Sequence, residues 1–302
     1  MNFDFLAGNT LQEEDFQIDE AKAYIQGFLY SNSMTLLYSP AKQGKTWLGY
    51  SIAKLLKDRE DIRGIIYVDM DNSISNLHQK NIYEKLIKHP KIDYVSRAKT
   101  GVDAMGFLRK IDKEAVLGNF KDVVFFFETT KDFVDTDSKS QSEEFMKIMM
   151  RIRDAGATII IMHHATKTGR TISGVQVFIN SPDNVYEMVQ KAKEEDKLHL
   201  VLNSTYSRMM VEDLGVTVDL NTLNFEKLDE VYATMSEYEE EFVRKGKEVL
   251  KKNPNGLNKS KLLEAIGYER TDPTARATLD KFVDKFWKST KVKNQFNITL
   301  LQ

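Results

Sequence analysis

The chain contains no cysteine among its 302 residues, which excludes disulfides and any thiolate-held zinc. That absence suits a reducing compartment, and the expected location is cytoplasmic. The five histidines are scattered, with no HxxxH-type spacing, so no structural metal site is expected. No run approaches the roughly 18 apolar residues of a membrane span, and no charged-then-apolar leader opens the chain. No membrane partner is expected. What is present is a composition usual for a water-soluble globular protein, 41% hydrophobic and 29% charged. The length suits one large or two modest domains, and either can bury a real core.

The formal net charge of −2 hides an asymmetry. From Phe242 onward there are 14 Lys and Arg against 6 Asp and Glu, leaving 29 against 39 in the first 241 residues. A basic tail on an acidic body is either the footprint of a nucleic-acid-facing module or the solvated surface of a small lysine-rich domain.

Residues 34–56, MTLLYSPAKQGKTWLGYSIAKLL, carry the most chemistry. Met34 to Tyr38 is an apolar run of strand length, and Trp47, Leu48, Ile52, Leu55 and Leu56 recur at helical spacing. The intervening loop of Ser39, Pro40, Ala41, Lys42, Gln43 and Gly44 can aim backbone N–H groups at an anion, aided by the helix N-terminus. Lys45 would reach the outer phosphates of a nucleotide, and the Thr46 hydroxyl would hold a magnesium ion. ATP and Mg2+ are thus the expected ligands, with Trp47 opening the helix beside them. The phosphate-loop pattern asks for glycine five residues before Gly44, and Ser39 stands there. The other reading is an ordinary strand-to-helix turn with an exposed lysine.

Periodicity then gives strands near 64–69, 92–95, 123–127, 157–162, 198–202, 215–220 and 223–225, alternating over most of their length with helices near 73–88, 102–116 and 142–155. A short helix is expected around Glu20 to Tyr30. The alternation predicts an α/β fold with a mainly parallel sheet flanked by helices, whose ligands sit beyond the carboxyl ends of the strands. Four such ends carry suitable side chains. They are the phosphate loop; Asp69, Asp71 and Asn72; Glu128; and His163 with His164. A carboxylate from the second could deprotonate an attacking water, and Glu128 could hold the magnesium shell. Taken singly, the aspartates could be helix caps, Glu128 could pair with a lysine, and the histidines could be a satisfied strand end.

With those residues in place, residues 34 to about 226 resemble the RecA-type P-loop ATPase core, in particular the branch of plasmid RepA-like hexameric replicative helicases. After the phosphate loop, the most specific part is Asp135-Thr-Asp-Ser, an amphipathic helix, and Gly156 to Gly169 with its His-His pair. The resemblance implies an ATPase acting as a DNA helicase in replication, a homo-oligomer in a hexameric ring, and single-stranded DNA as partner. It implies that His164 senses the γ-phosphate, and that Lys167 and Arg170, on a channel-facing loop from Lys167 to Asn180, touch nucleic-acid phosphates. It matches Asp71 to the catalytic glutamate, Glu128 to the magnesium-associated aspartate, and Arg208 to the arginine offered to a neighbour's nucleotide.

The tail reads as a second unit, giving a division into 1–33, 34–230 and 237–302. Glu237 opens a helix to about Lys252, Asn258 caps another from Lys259 to Ile266, and Asp272-Pro273 starts a third to about Trp287. Lys291 to Leu301 fits a short β-ribbon. Three helices and a ribbon resemble a winged-helix domain, which would place Arg276 and Lys281 on or near a DNA-reading helix. A nucleotide-gated DNA-binding regulator or recombination mediator, without unwinding activity, is the alternative function. A P-loop small-molecule kinase would need a lid with several arginines, and no such cluster stands between Asp71 and Gly156.

Overall fold

The computed structural model describes residues 10, 13, 21–118, 120–166, 171–292 and 295–301. Lys167 and Arg170 lie outside the described residues.

The first described elements are a two-stranded hairpin, β1 (Ala23–Ile25) and β2 (Leu29–Tyr30), where a helix was expected. Gly27 takes a left-handed φ of 73° in its turn, a conformation that glycine allows at no steric cost. Tyr24, Phe28 and Leu29 are buried there against the sheet that follows.

Among the described residues that sheet has nine strands. It comprises β3 (Met34–Ser39), β4 (Gly64–Asp69), β5 (Ile92–Ser96), β6 (Val123–Glu128), β7 (Thr158–His164), β8 (Asn184–Lys193), β9 (Lys197–Ser207), β10 (Leu214–Asp219) and β11 (Phe225–Lys227). Their order across the sheet is β11-β10-β9-β8-β3-β7-β6-β4-β5. From β8 to β5 every pairing is parallel; from β8 to β11 every pairing is antiparallel. The architecture is α/β with a large mixed sheet of mostly parallel strands. The mainly parallel expectation holds, with an antiparallel flank from β8 to β11 added to it.

Helices α1 (Lys45–Lys57), α2 (Ile74–Gln79), α3 (Arg97–Thr100), α4 (Ala104–Leu117), α5 (Lys139–Asp154) and α6 (Val177–Asn180) connect these strands. The helix expected over 73–88 is interrupted: α2 ends at Gln79, Asn81 takes a φ of 53°, and a π turn follows at Tyr83–Ile87. The continuous apolar strands are covered on both faces, as such runs require. Val124 and Phe126 join α1 in one core, while Phe125 and Phe127 join α4 and α5 in the other. Phe145, Ile148, Met149 and Ile152 of α5 are all buried, as their helical spacing predicts.

The C-terminal portion begins with α7 (Glu230–Ala233) and α8 (Glu237–Lys252). β12 (Leu257–Asn258), α9 (Lys259–Ala265), α10 (Pro273–Lys281), β13 (Trp287–Val292) and β14 (Gln295–Leu300) complete it. The three strands form a separate sheet in the order β12-β14-β13. Asn258 caps α9 through Lys261 N–H, and Asp272 caps α10 through Ala275 N–H, both at 2.9 Å. The third helix stops at Lys281, six residues short of its expected end. Fully buried Trp287 opens β13 instead, and its indole N–H donates back to the Leu279 carbonyl at 2.9 Å. Lys247 and Tyr232 both donate to Glu194 at 2.7 Å, tying this portion to the β8–β9 turn. Among the described residues no helix is long and apolar enough to cross a membrane.

Candidate functional site

The parallel strands are aligned so that their polar ends meet at one edge. Ser39 pairs with His164 across β3 and β7, and Asp69 pairs with Glu128 across β4 and β6. Residues far apart in sequence therefore share one cavity of about 490 Å³, whose lining includes Ala41, Lys42, Gly44, Lys45, Thr46, Trp47, Asp71, Glu128 and His164. Gln43 stands outside that lining, and Ser39 lies beneath it, fully buried.

The loop turns sharply because two residues take left-handed conformations, Lys42 at φ 64° and Gly44 at φ 95°. A Cβ on Gly44 would come within 2.7 Å of Leu198 Cδ1, so a side chain there would strain the backbone angle and displace the leucine. The Lys45 ammonium is buried and folds back under the loop. It donates to the Ser39 carbonyl at 2.8 Å, the Ser39 hydroxyl at 2.9 Å and the Pro40 carbonyl at 3.0 Å. The serine in the place of a glycine thus serves as a partner for the lysine. Burial pulls the Lys45 pKa down to about 8, against the pull of the Glu128 charge.

Glu128 is the centre of the acidic half. It is buried, accepts from the Thr46 hydroxyl on one oxygen, and accepts from Tyr67 Oη at 2.6 Å on the other. Burial and then the Asp69 charge push its pKa from the ordinary 4.5 up to about 7, while the two hydroxyl donors pull it back. Asp69 is buried as well. One of its oxygens accepts from Asp71 N–H at 3.0 Å and Asn72 N–H at 2.9 Å; the other accepts from Tyr94, to which Tyr50 is bonded at 3.0 Å. Asp69 therefore shapes the turn after β4 and leaves Asp71 exposed at the cavity, 4.0 Å from Lys131 Nζ.

The histidine pair divides its roles. His163 is buried and fully bonded, with Nδ1 to Thr130 Oγ1 at 2.5 Å and Nε2 to the Ser173 carbonyl at 2.8 Å. Burial lowers its pKa to about 4. His164 is half-buried at the cavity, and its buried Nε2 has no hydrogen-bond partner among the described residues. Burial lowers its pKa, and the Lys45 and Lys131 charges act in the same direction. Ser173 N–H and Oγ both bond the His164 carbonyl, so the segment beyond residue 170 returns directly onto the pair.

Three expected residues stand elsewhere. Arg208 follows β9, which runs antiparallel to β8 with Ser207 opposite Asn184, so it lies at the far edge of the sheet from the cavity. Its guanidinium donates to the Asn180 carbonyl and to Tyr206 Oη. It cannot reach its own chain's loop. Arg276 donates to the Arg270 carbonyl at 2.7 Å, and Lys281 pairs with Glu239. Each is engaged within the chain.

Sequence reasoning missed the three tyrosines Tyr50, Tyr67 and Tyr94, and the cavity lysines Lys80, Lys131 and Lys193. The signal for Tyr67 alone was a hydroxyl inside the otherwise apolar strand β4. Lys131 could have been noticed three residues past Glu128.

Among the described residues no group of three or more His, Cys, Asp or Glu side chains could hold a metal ion. Magnesium needs no such cage, because one or two protein oxygens, waters and nucleotide phosphates complete its shell. The Thr46 hydroxyl against the Glu128 carboxyl is such a pair, and a cation there would stabilise a carboxylate that burial now disfavours. Among the described residues the hydrogen-bond partners of Lys45 are neutral oxygens, which an anion would complement. The residues fit a magnesium-bound phosphate. No protein-family model matches the chain, and no curated protein matches it.

The buried acid and the buried histidine give opposite pH signatures. Folded, Glu128 keeps its proton up to about pH 7, whereas unfolded it loses it near 4.5. Its stabilising contribution is full below 4.5 and is lost as pH rises through 7. His163 stays neutral down to about pH 4 when folded but takes a proton near 6.5 when unfolded, so it costs stability as pH falls through that range. Glu128→Gln removes only the first effect. Melting temperatures without nucleotide should rise in the variant relative to wild type between pH 5 and 8. A difference that stays constant over that range would contradict the assignment.

Proposed function

We propose that this chain binds ATP with magnesium and hydrolyses it to drive movement on nucleic acid, as a RepA-like DNA helicase with a RecA-like core and a winged-helix C-terminal unit. One observation carries the reading. The Lys45 ammonium lies under a glycine-turned loop while Thr46, next to it, touches Glu128 from a strand 82 residues away. Few structural demands other than a metal-bound polyphosphate explain a buried lysine, a buried acid and a hydroxyl in that arrangement.

In this reading the loop N–H groups and Lys45 bind the phosphates, and Thr46 and Glu128 hold magnesium or its waters. The bound ion would neutralise charge that develops on the phosphate oxygens. Asp71 accepts a proton from water as the water oxygen bonds to the terminal phosphorus and the bond to the bridging oxygen breaks. Leu198, Leu220 and Trp47 supply apolar wall where a base can lie. His164 Nε2, without a partner among the described residues, would bond the terminal phosphate and pass its loss to the segment through Ser173. Arg208, on the opposite edge and bonded to Asn180 and Tyr206, would have to leave those partners and serve a neighbouring copy, as the proposed ring requires. Lys167 and Arg170 remain the proposed contacts to single-stranded DNA, and Arg276 and Lys281 need release from their present partners to act similarly.

ATP turnover with and without single-stranded DNA, run beside mass measurement in magnesium and nucleotide, tests this. A motor shows DNA-stimulated turnover by an oligomer. Tight ATP binding with turnover indifferent to DNA would favour a nucleotide-gated regulator instead.

A further inference from the structure

The cavity holds a cation that the reading above leaves unused. Lys131 stands on a single 3-10 turn, Thr130–Asp132, directly after β6 and three residues beyond Glu128. That turn is firmly mounted. Thr129 caps it by donating to Asp132 Oδ2 at 2.8 Å, and buried Thr130 is bonded to His163 at 2.5 Å. The Lys131 backbone is therefore fixed between the ends of β6 and β7, the two strands that deliver Glu128 and the histidine pair.

From there the side chain reaches the cavity wall, half-exposed, with its ammonium 4.0 Å from Asp71 Oδ1. It is close enough for its charge to act on both Lys45 and His164. Lys45, His164 and Asp71 are the groups that would surround an outermost phosphate and its attacking water. The remaining cations are placed differently, and Lys42 belongs to the loop before Gly44. Lys80 donates to Asn72 Oδ1 at 3.2 Å and lies 5.6 Å from the Trp47 ring, toward the base side. Lys193 belongs to the opposite wall, at the end of β8. Arg208 is at the far edge of the sheet.

We propose that Lys131 supplies, from within the same chain, a second cation on the outermost phosphate, and that Asp71 holds it in readiness when that phosphate is absent. This rests on the nucleotide-binding reading. It means that ground-state recognition of the third phosphate does not wait for a neighbour's arginine. It also ties Asp71 to occupancy, because a phosphate that draws Lys131 away frees the carboxylate to face water.

The experiment measures affinities for a non-hydrolysable ATP analogue and for ADP, both with magnesium, in the full chain. The forms compared are wild type, Lys131→Gln and Lys131→Arg. Because Lys131 is half-exposed, melting curves of the variants should overlay wild type. ADP lacks the phosphate in question, so its affinity should be unchanged. The analogue should bind about tenfold to a hundredfold more weakly to Lys131→Gln, the range for one hydrogen bond to a charged group. Lys131→Arg should restore most of it. An unchanged preference for the analogue over ADP in Lys131→Gln overturns the inference while leaving nucleotide binding intact. Equal loss of ADP and analogue also overturns it, since Lys131 would then support the cavity generally. Failure of wild type to bind either ligand removes this inference and the functional reading together.

Discussion

Lys45→Ala should leave a folded protein that no longer turns over ATP. The buried ammonium makes three hydrogen bonds to its own loop, and truncation to alanine opens the space it filled to the adjoining cavity, so that water can replace it at those neutral oxygens. Burial already works against the charge, which is why its pKa falls to about 8. Removing it therefore relieves a desolvation cost as it deletes those bonds, and the two effects offset. Stability should stay close to wild type in thermal melts. Catalysis should not, because a fixed donor aimed at developing charge contributes about 10² to 10³ in rate. Turnover should drop by at least that factor, with nucleotide-dependent strand displacement lost. If displacement survives the substitution, the motor reading is wrong.

Trp287→Ala should cost about 3 to 5 kcal/mol, the range for deleting a fully buried large aromatic. The indole is completely buried, and its ring centre lies 6.1 to 6.3 Å from those of Phe286, Phe242 and Phe282. Gly246 of α8 makes room for it, since a Cβ there would stand 3.1 Å from Trp287 Cζ3. The variant loses this packing and leaves the Leu279 carbonyl without its indole donor. The chain has only two tryptophans, so Trp47 becomes the sole indole reporter and sits at the proposed nucleotide site. Urea unfolding followed by circular dichroism should move to lower denaturant, while Trp47 fluorescence still responds to nucleotide. A urea midpoint that does not shift would contradict the packing described.

What was legible in the sequence was short-range. The strand, loop and helix around Gly44 to Thr46, the caps at Asn258 and Asp272, and the α5 stripe each lie within a few residues of their cause. The four strand ends were also legible, because each apolar run stops at a polar side chain. What was hidden depends on pairing over long separations. β8 was missed because Glu187, Gln190, Lys191 and Lys193 break up its apolar residues, and its place is set by β3, some 150 residues earlier. The position of Arg208 depends on β9 running antiparallel for 11 residues, which carries its end away from the cavity. The tyrosine support of Glu128 and Asp69 draws on α1, β4 and β5 at once, so no local pattern could reveal it. The third C-terminal helix ends early where Trp287 pairs with Leu300 in β13 and packs against Phe242 and Gly246, contacts that no local pattern shows.

Isothermal titration of the intact, folded chain with ATP tests the central claim most directly. One nucleotide should bind per chain, markedly more weakly when magnesium is withheld, and binding should fail in Lys45→Ala. No detectable heat at millimolar ATP with magnesium, from protein whose melting curve shows it folded, would contradict the account.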